Sequence, residues 1–162
     1  MEKDGCRIRL LEKTDIERLR CWRNRDHIRK WFVHSAPIEP DQQRAWWDAY
    51  RSRPDDYMFV IEDVAEGLGA VGAAALYNID CERNRAEYGR MMIGESAARG
   101  RGLARTATRL VIEFAFDHLG LGEVYLEVFS DNDPAVAIYR SCGFEETGRS
   151  GRLLCMRKLR PE

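Results

Sequence analysis

The sequence is poor in metal-binding and redox signals. Its three histidines, His27, His34 and His118, share no ligand spacing with one another or with a cysteine, so no metal site is expected. The five cysteines, Cys6, Cys21, Cys81, Cys142 and Cys155, are an odd, scattered set without a C-x-x-C pair. Free thiols in a reducing compartment are the simplest account. No apolar run approaches the ~20 residues of a membrane span, and a membrane partner is not expected. Neither sign of charge dominates: 26 Lys and Arg stand against 27 Asp and Glu, a net charge of −1. That balance argues against general nucleic-acid binding. The opening residues Met1 to Gly5 lack the apolar core of a signal peptide, and the expectation is a cytoplasmic protein. No internal repeat or low-complexity tract is visible.

What is present suits one folded unit. The 162 residues are 44% hydrophobic and 33% charged, and a single domain over residues 1–162 is expected. Arg7 to Leu11 alternates like a short strand. Thr14, Asp15, Ile16 and Glu17 match a capping box opening a helix to about Arg25. Pro40 suits a first helical turn, and Ala45, Trp46 and Ala49 mark the face of a helix running to Arg51. Tyr57–Glu62, Ala70–Ile79 and Ala86–Ile93 read as a three-strand meander with polar turns between. From Leu103 to His118, Leu103, Ala107, Leu110, Val111, Phe114 and Ala115 recur with a 3.6-residue period, and Gly120 and Gly122 end the helix. Glu123–Phe129 is a strand, Pro134 opens a helix to Ser141, and a final hairpin turns at Ser150-Gly151. A meander followed by strands alternating with helices predicts an α+β fold, with one mixed, mostly antiparallel sheet and helices on both faces.

The most informative stretch is Arg99-Gly100-Arg101-Gly102-Leu103-Ala104, between the third meander strand and the long helix. Amides at a helix N-terminus lack intrahelical partners and carry partial positive charge. Gly100 and Gly102 have no Cβ to hold a pyrophosphate away from them. Arg99, Arg101 and Arg105 bracket the turn. Cations at a helix start oppose the dipole, a conflict that a bound polyanion removes.

Arg99-x-x-Gly102-x-Ala104 resembles the acetyl-CoA signature of the GNAT superfamily of N-acetyltransferases. A second segment, Asn132-Asp133-Pro134-Ala135 through Tyr139 to Gly143-Phe144, resembles that superfamily's Asn-x-x-Ala-x-x-x-Tyr-x-x-x-Gly-Phe helix. The two lie in the family's order, and the resemblance covers about Val60 to Leu159. The segments Cys21–Phe32, Ile38–Trp47 and Ala86–Glu95 look like the branch holding the ribosomal-protein and pseudaminic-acid-type amino-sugar acetyltransferases. The resemblance implies a GNAT fold and direct acetyl transfer from acetyl-CoA to a primary amine, without a metal. It implies that Met91, Met92 and Ile93 pair with the pantetheine arm, and that Arg99, Gly100, Arg101, Gly102, Leu103, Ala104 and Arg105 hold the diphosphate. Asn132 lines the arm, and Tyr139 reaches the thioester sulfur.

The chemistry has few needs. A backbone N–H near Met92 is the expected donor to the thioester carbonyl, where strand pairing lapses. An alkyl amine, with a pKa of about 10.4, must lose a proton before it attacks. Glu87 is the candidate base; the competing reading is a strand carboxylate paired with Arg85 or Arg90. Tyr139 is the candidate acid for the leaving thiolate. Cys142 lies nearby but has no neighbouring base, which disfavours an acyl-cysteine.

For the acceptor, Trp31, Phe32, Trp47, Tyr77 and Glu87 are the expected contacts, with Trp46 assigned to the core and His34 near the pocket. The basic run Arg18, Arg20, Arg23, Arg25, Arg29 and Lys30 reads mostly as a solvated helical face, or as a site for a phosphorylated acceptor. The expected partner is a small amine, first an amino sugar or nucleotide-linked amino sugar, in a monomer or homodimer. Rival readings are N-terminal acetylation of a ribosomal or other protein, acetylation of an aminoglycoside or polyamine, and a CoA-binding regulatory module without turnover. The aminoglycoside or polyamine reading calls for a strongly acidic pocket, and no compact acidic run is present.

Overall fold

The computed structural model describes residues 1–162. Eight strands form one sheet: β1 (Glu2–Lys3), β2 (Cys6–Leu10), β3 (Tyr57–Asp63), β4 (Gly69–Asp80), β5 (Arg85–Ile93), β6 (Glu123–Phe129), β7 (Glu145–Ser150) and β8 (Leu153–Leu159). Their spatial order is β1-β2-β3-β4-β5-β6-β8-β7. Every neighbouring pair is antiparallel except β5 and β6, which run parallel. The helices are α1 (Ile16–Arg23), α2 (Asp26–Arg29), α3 (Pro40–Tyr50), α4 (Leu103–Glu113) and α5 (Asp133–Ser141). This is the expected mixed α+β sheet.

Two apolar cores explain the layering. Leu103, Ala107, Leu110, Val111 and Ala115 of the long-helix segment pack with Phe59, Ile61, Leu76 and Tyr88 and with Val136 and Tyr139 of α5. The smaller core joins Leu19 and Trp22 of α1 and Trp47 of α3 to Met58, Val60, Ala73, Ala75 and Met92. Alternate residues of one strand therefore enter different cores, as the two-residue side-chain period requires.

Several local expectations shift. The capping box lies earlier, between Glu12 and Asp15, where Asp15 Oδ2 accepts from the Glu12 amide at 2.9 Å. Asp15 is recruited there because Arg9 also holds it, at 2.7 Å. On α3 the buried residues are Gln43 and Trp47, whereas Ala45 and Ala49 are exposed. Docking of α3 through Trp47 sets that phase, and Trp46 is left half-buried, stacked on Tyr50. The long helix changes to a π-helical turn over Phe114–His118.

Candidate active site

The parallel pair makes the site. Strands β5 and β6 are in register only from Arg85–Glu87 against Glu123–Tyr125. Beyond Glu87 they part, leaving the second half of β5 without a neighbour on that side. A bulge reinforces the divergence. Ala73 faces Met92 and Ala75 faces Gly89, so two β5 residues, Arg90 and Met91, stand against one on β4. Arg90 carries the cost in a left-handed backbone, φ 51°. Its guanidinium is anchored on buried Asp56 at 2.8 Å and lies over the Tyr77 ring.

A cavity of about 290 Å³ fills the opening. Glu87, Arg90 and Met91 reach it from β5, Glu127 and Phe129 from β6, and Asn132, Ile138 and Tyr139 from the end of β6 and α5. Trp31, Phe32 and His34 close it from the segment after α2, with Trp31 and Phe129 ring centroids 6.4 Å apart. The structure thus brings together Glu87, Tyr139, Asn132, Met91, Tyr77, Trp31 and Phe32, which the sequence nominated separately. Trp47 is the exception: it is buried in the smaller core and does not line this cavity.

Glu87 is held by neutral donors. Tyr77 donates its hydroxyl to Oε1 and Asn78 donates its amide to Oε2, each at 2.8 Å. Arg85 and Arg90, the expected alternative partners, are turned to Glu123 and Asp56. Gly89 makes room for this: a Cβ there would come within 2.8 Å of the Tyr77 hydroxyl. Burial, and then the Glu87 charge, push the Tyr77 phenol up, so it remains a donor. Tyr139 packs edge-on against Tyr88 and Phe144. Burial pushes its phenol up as well, keeping a protonated oxygen at the cavity wall. A carboxylate acceptor and a phenolic donor therefore share one cleft, a set suited to moving one proton off a nucleophile and another onto a leaving group.

The glycine-rich turn forms a second depression, of about 280 Å³, lined by Ile93 and by residues from Ala98 to Arg105. Ile138 borders both hollows. Gly100 and Gly102 have φ of 72° and 77°, and a Cβ at either would stand in open space. Gly102 is the N-cap of α4, and no side chain caps that helix. The amides of Leu103, Ala104 and Arg105 therefore begin the helix without a side-chain acceptor, as an anion cradle needs. The arginines divide. Arg101 is turned away, paired with buried Asp63 at 3.0 Å and with Glu66 at 2.9 Å. Its side chain braces the turn against the end of β3, at the edge of the depression it helps line. Arg99 contacts His27, and burial, then the Arg99 charge, lowers the His27 pKa. Arg105 remains exposed.

The N-terminal basic run also resolves residue by residue. Arg20 pairs with Glu17, Arg29 with Asp26 and Arg25 with Glu95. Arg23 instead turns inward, stacked 3.7 Å from the centroid of Phe32 and bonded to the His34 carbonyl. Burial and the neighbouring Arg29 charge lower its pKa. Sequence reading named Arg23 within a basic run that is a solvated face or a site for a phosphorylated acceptor, but it did not assign Glu127, Phe129 and Arg90 to the site. Their side chains reach it only through the strand divergence and the bulge, for which the sequence holds no distinct mark.

Known proteins share this fold. The model of the acetyltransferase (GNAT) domain family matches residues 6–145. The spermidine N(1)-acetyltransferase of Escherichia coli K12 is 30% identical over 144 residues, 88% of this chain and 74% of that protein. The crystal structure of Vibrio cholerae spermidine N-acetyltransferase with CoA and spermine superposes with a TM-score of 0.86 at 26% identity, covering 97% of this chain and 96% of that one. The N-alpha-acetyltransferase RimI of Mycobacterium tuberculosis is 46% identical over 63 residues, 38% of this chain and 37% of that protein. With the family model covering most of its length, the chain belongs to the GNAT acetyltransferases and is an N-acetyltransferase that uses acetyl-CoA.

Proposed function

We propose that the acceptor is a compact primary amine of the amino-sugar class, free or nucleotide-linked, acetylated directly in the cleft between β5 and β6. The observation that carries the reading is the meeting of Glu87 and Tyr139 on one cavity beside the unpaired half of β5. Aromatic walls from Trp31, Phe32, Tyr77 and Phe129 suit the apolar faces of a sugar ring. Met91, Met92 and Ile93 offer backbone for the pantetheine arm to extend the sheet, with an amide near Met92 donating to the thioester carbonyl. Asn132 lies along the arm. The diphosphate sits on the amides from Gly100 to Arg105, with Arg99 and Arg105 as the side chains free to approach it.

In the transfer step, Glu87 takes a proton from the acceptor ammonium, directly or through water. The amine nitrogen forms its bond to the acetyl carbon, the carbon–sulfur bond breaks as Tyr139 gives a proton to the departing sulfur, and the second proton that the nitrogen sheds on becoming an amide returns, directly or through water, to the Tyr139 oxygen. Cys142 is buried, and its thiol faces the Arg105 carbonyl at 3.7 Å, away from this chemistry.

Similarity to the spermidine enzymes favours a second reading, a polyamine acceptor. Glu87 and Glu127 line the cavity, but Arg23, Arg90 and His34 line it too, so its side chains do not form the acidic trough that an extended polycation requires. Thiol release from acetyl-CoA, followed with glucosamine, nucleotide-linked amino sugars, spermidine and a serine-initiated peptide, tests the choice. Turnover led by the amino sugars supports the proposal; turnover led by spermidine or by the peptide replaces it.

A further inference from the structure

Beside the reactive cleft lies a second hollow of about 480 Å³, between α1, α3 and the segment joining α2 to α3. It shares Arg23, Phe32, His34 and Arg90 with the first. Its lining contains no aspartate or glutamate.

Two buried donors in this hollow have no partner. Gln43 is 4% exposed, and its Nε2 makes no hydrogen bond. Arg23 Nη1 is also buried and unpartnered. Buried donors are nearly always satisfied, and an unsatisfied one facing a cavity marks a place where an acceptor atom belongs. The charge points the same way. Arg90 is neutralised by Asp56, and Arg20, Arg25 and Arg29 each have a carboxylate. Arg23, Arg18 and Lys30 have none, and of these three only Arg23 lines the hollows, so the wall common to both carries an uncompensated guanidinium. A phenyl face and a main-chain carbonyl hold it in place before any ligand arrives.

We propose that this second hollow binds an anionic group, phosphate or carboxylate, of the same acceptor whose amine reacts in the first. The inference rests on the acyl-transfer reading above and adds a polarity to it. The ammonium end enters on the side of Glu87 and Glu127. The anionic end docks on Arg23 Nη1 and Gln43 Nε2, with Trp46 in the same lining, and the connecting portion passes Phe32 and His34, which border both hollows. A second ammonium in this hollow would face Arg23 with no carboxylate beside it, which sets the site against polyamines.

The test is calorimetric binding to protein saturated with CoA, so that the glycine-rich turn is already filled. Glucosamine, glucosamine 6-phosphate, 2-amino-2-deoxyglucuronate and spermidine are the probes, and thiol release is followed in parallel with acetyl-CoA. One or both anionic sugars should bind at least tenfold more tightly than glucosamine, and the better of the two identifies phosphate or carboxylate. Arg23→Gln should abolish that advantage and Gln43→Leu should reduce it several-fold, while glucosamine binding changes less than twofold in Gln43→Leu, whose position lies outside the reactive cleft. Equal binding of charged and neutral sugars, an advantage that survives both substitutions, or tighter binding of spermidine overturns the proposal. Turnover of glucosamine without an anionic preference removes this site and leaves the acetyl-transfer reading standing. Anionic preference in binding without thiol release from any probe keeps the site and removes that reading.

Discussion

Tyr77 donates its phenolic hydrogen to Glu87 across 2.8 Å, and both residues face the cleft where β5 leaves β6. The two stand opposite each other in the β4–β5 register, so the sheet itself fixes the pair. Asn78 completes the hold at the other carboxylate oxygen. Glu87→Gln keeps the shape and removes the base. Its kcat/KM at neutral pH is expected to fall about 100-fold, within the range of general-base contributions. The acidic limb of the pH–rate profile should disappear with it. Tyr77→Phe, a positioning change, should lower kcat several-fold and leave that limb in place. A Glu87→Gln enzyme with a wild-type profile would assign Glu87 to structure alone.

Tyr139 offers a cleaner separation of chemistry from stability. Its ring is buried against Tyr88 and Phe144, while its hydroxyl has no hydrogen-bond partner within the chain. Tyr139→Phe therefore preserves the packing and strands no buried group. A fall in kcat of about 100-fold or more is expected. The CoA dissociation constant should stay within about twofold, since the arm and diphosphate contacts are untouched. Kinetics with thiol release and a thermal melt check both halves. Full turnover in this variant excludes Tyr139 as the acid.

Gly102 and Gly120 have similar left-handed backbones, φ 77° and 69°, and neither has a neighbour that a Cβ would strike. Alanine at either costs roughly 1–2 kcal/mol of backbone strain. Only Gly102 lies in the depression proposed to hold the diphosphate. Gly102→Ala should raise the CoA dissociation constant about tenfold, or roughly 1.4 kcal/mol, whereas Gly120→Ala should lose stability without losing affinity. Equal CoA binding by the two variants would place the diphosphate elsewhere.

The Arg9–Asp15 pair predicts an acid-sensitive N-terminal half. Arg9 donates to both Asp15 oxygens, at 2.7 and 2.9 Å, and this bond lowers the Asp15 pKa below the ordinary carboxylate value. A depressed folded-state pKa stabilises the protein fully above the unfolded value, about 3.9. That contribution is lost as pH falls through the folded value. Asp15→Asn should thus cost roughly 1–2 kcal/mol at pH 7, after allowance for the partial exposure of Arg9. The difference from wild type should shrink steadily below about pH 4. Urea unfolding at a series of pH values measures it; a pH-independent difference would show that the ion pair is not its source.

Much of this protein is legible in one dimension. The meander, the amphipathic face of α4, the proline starts of α3 and α5 and the terminal hairpin follow from periodicity and turn chemistry, which act over a few residues. The glycine turn and the Asn132–Phe144 segment identify the family because a diphosphate cradle and a helix with one inward tyrosine are also local constructions. Which partner each charge takes was decided elsewhere. Arg101 pairs with Asp63, Glu87 rests on Tyr77 and Asn78 instead of an arginine, and Trp47 is buried where Trp46 lines the second hollow. So was the inward turn of Arg23 among neighbours that face carboxylates. These outcomes depend on a helix phase and a strand bulge set by contacts between residues tens of positions apart. Short-range geometry specifies the elements, and only the packed chain fixes which side chains meet across them.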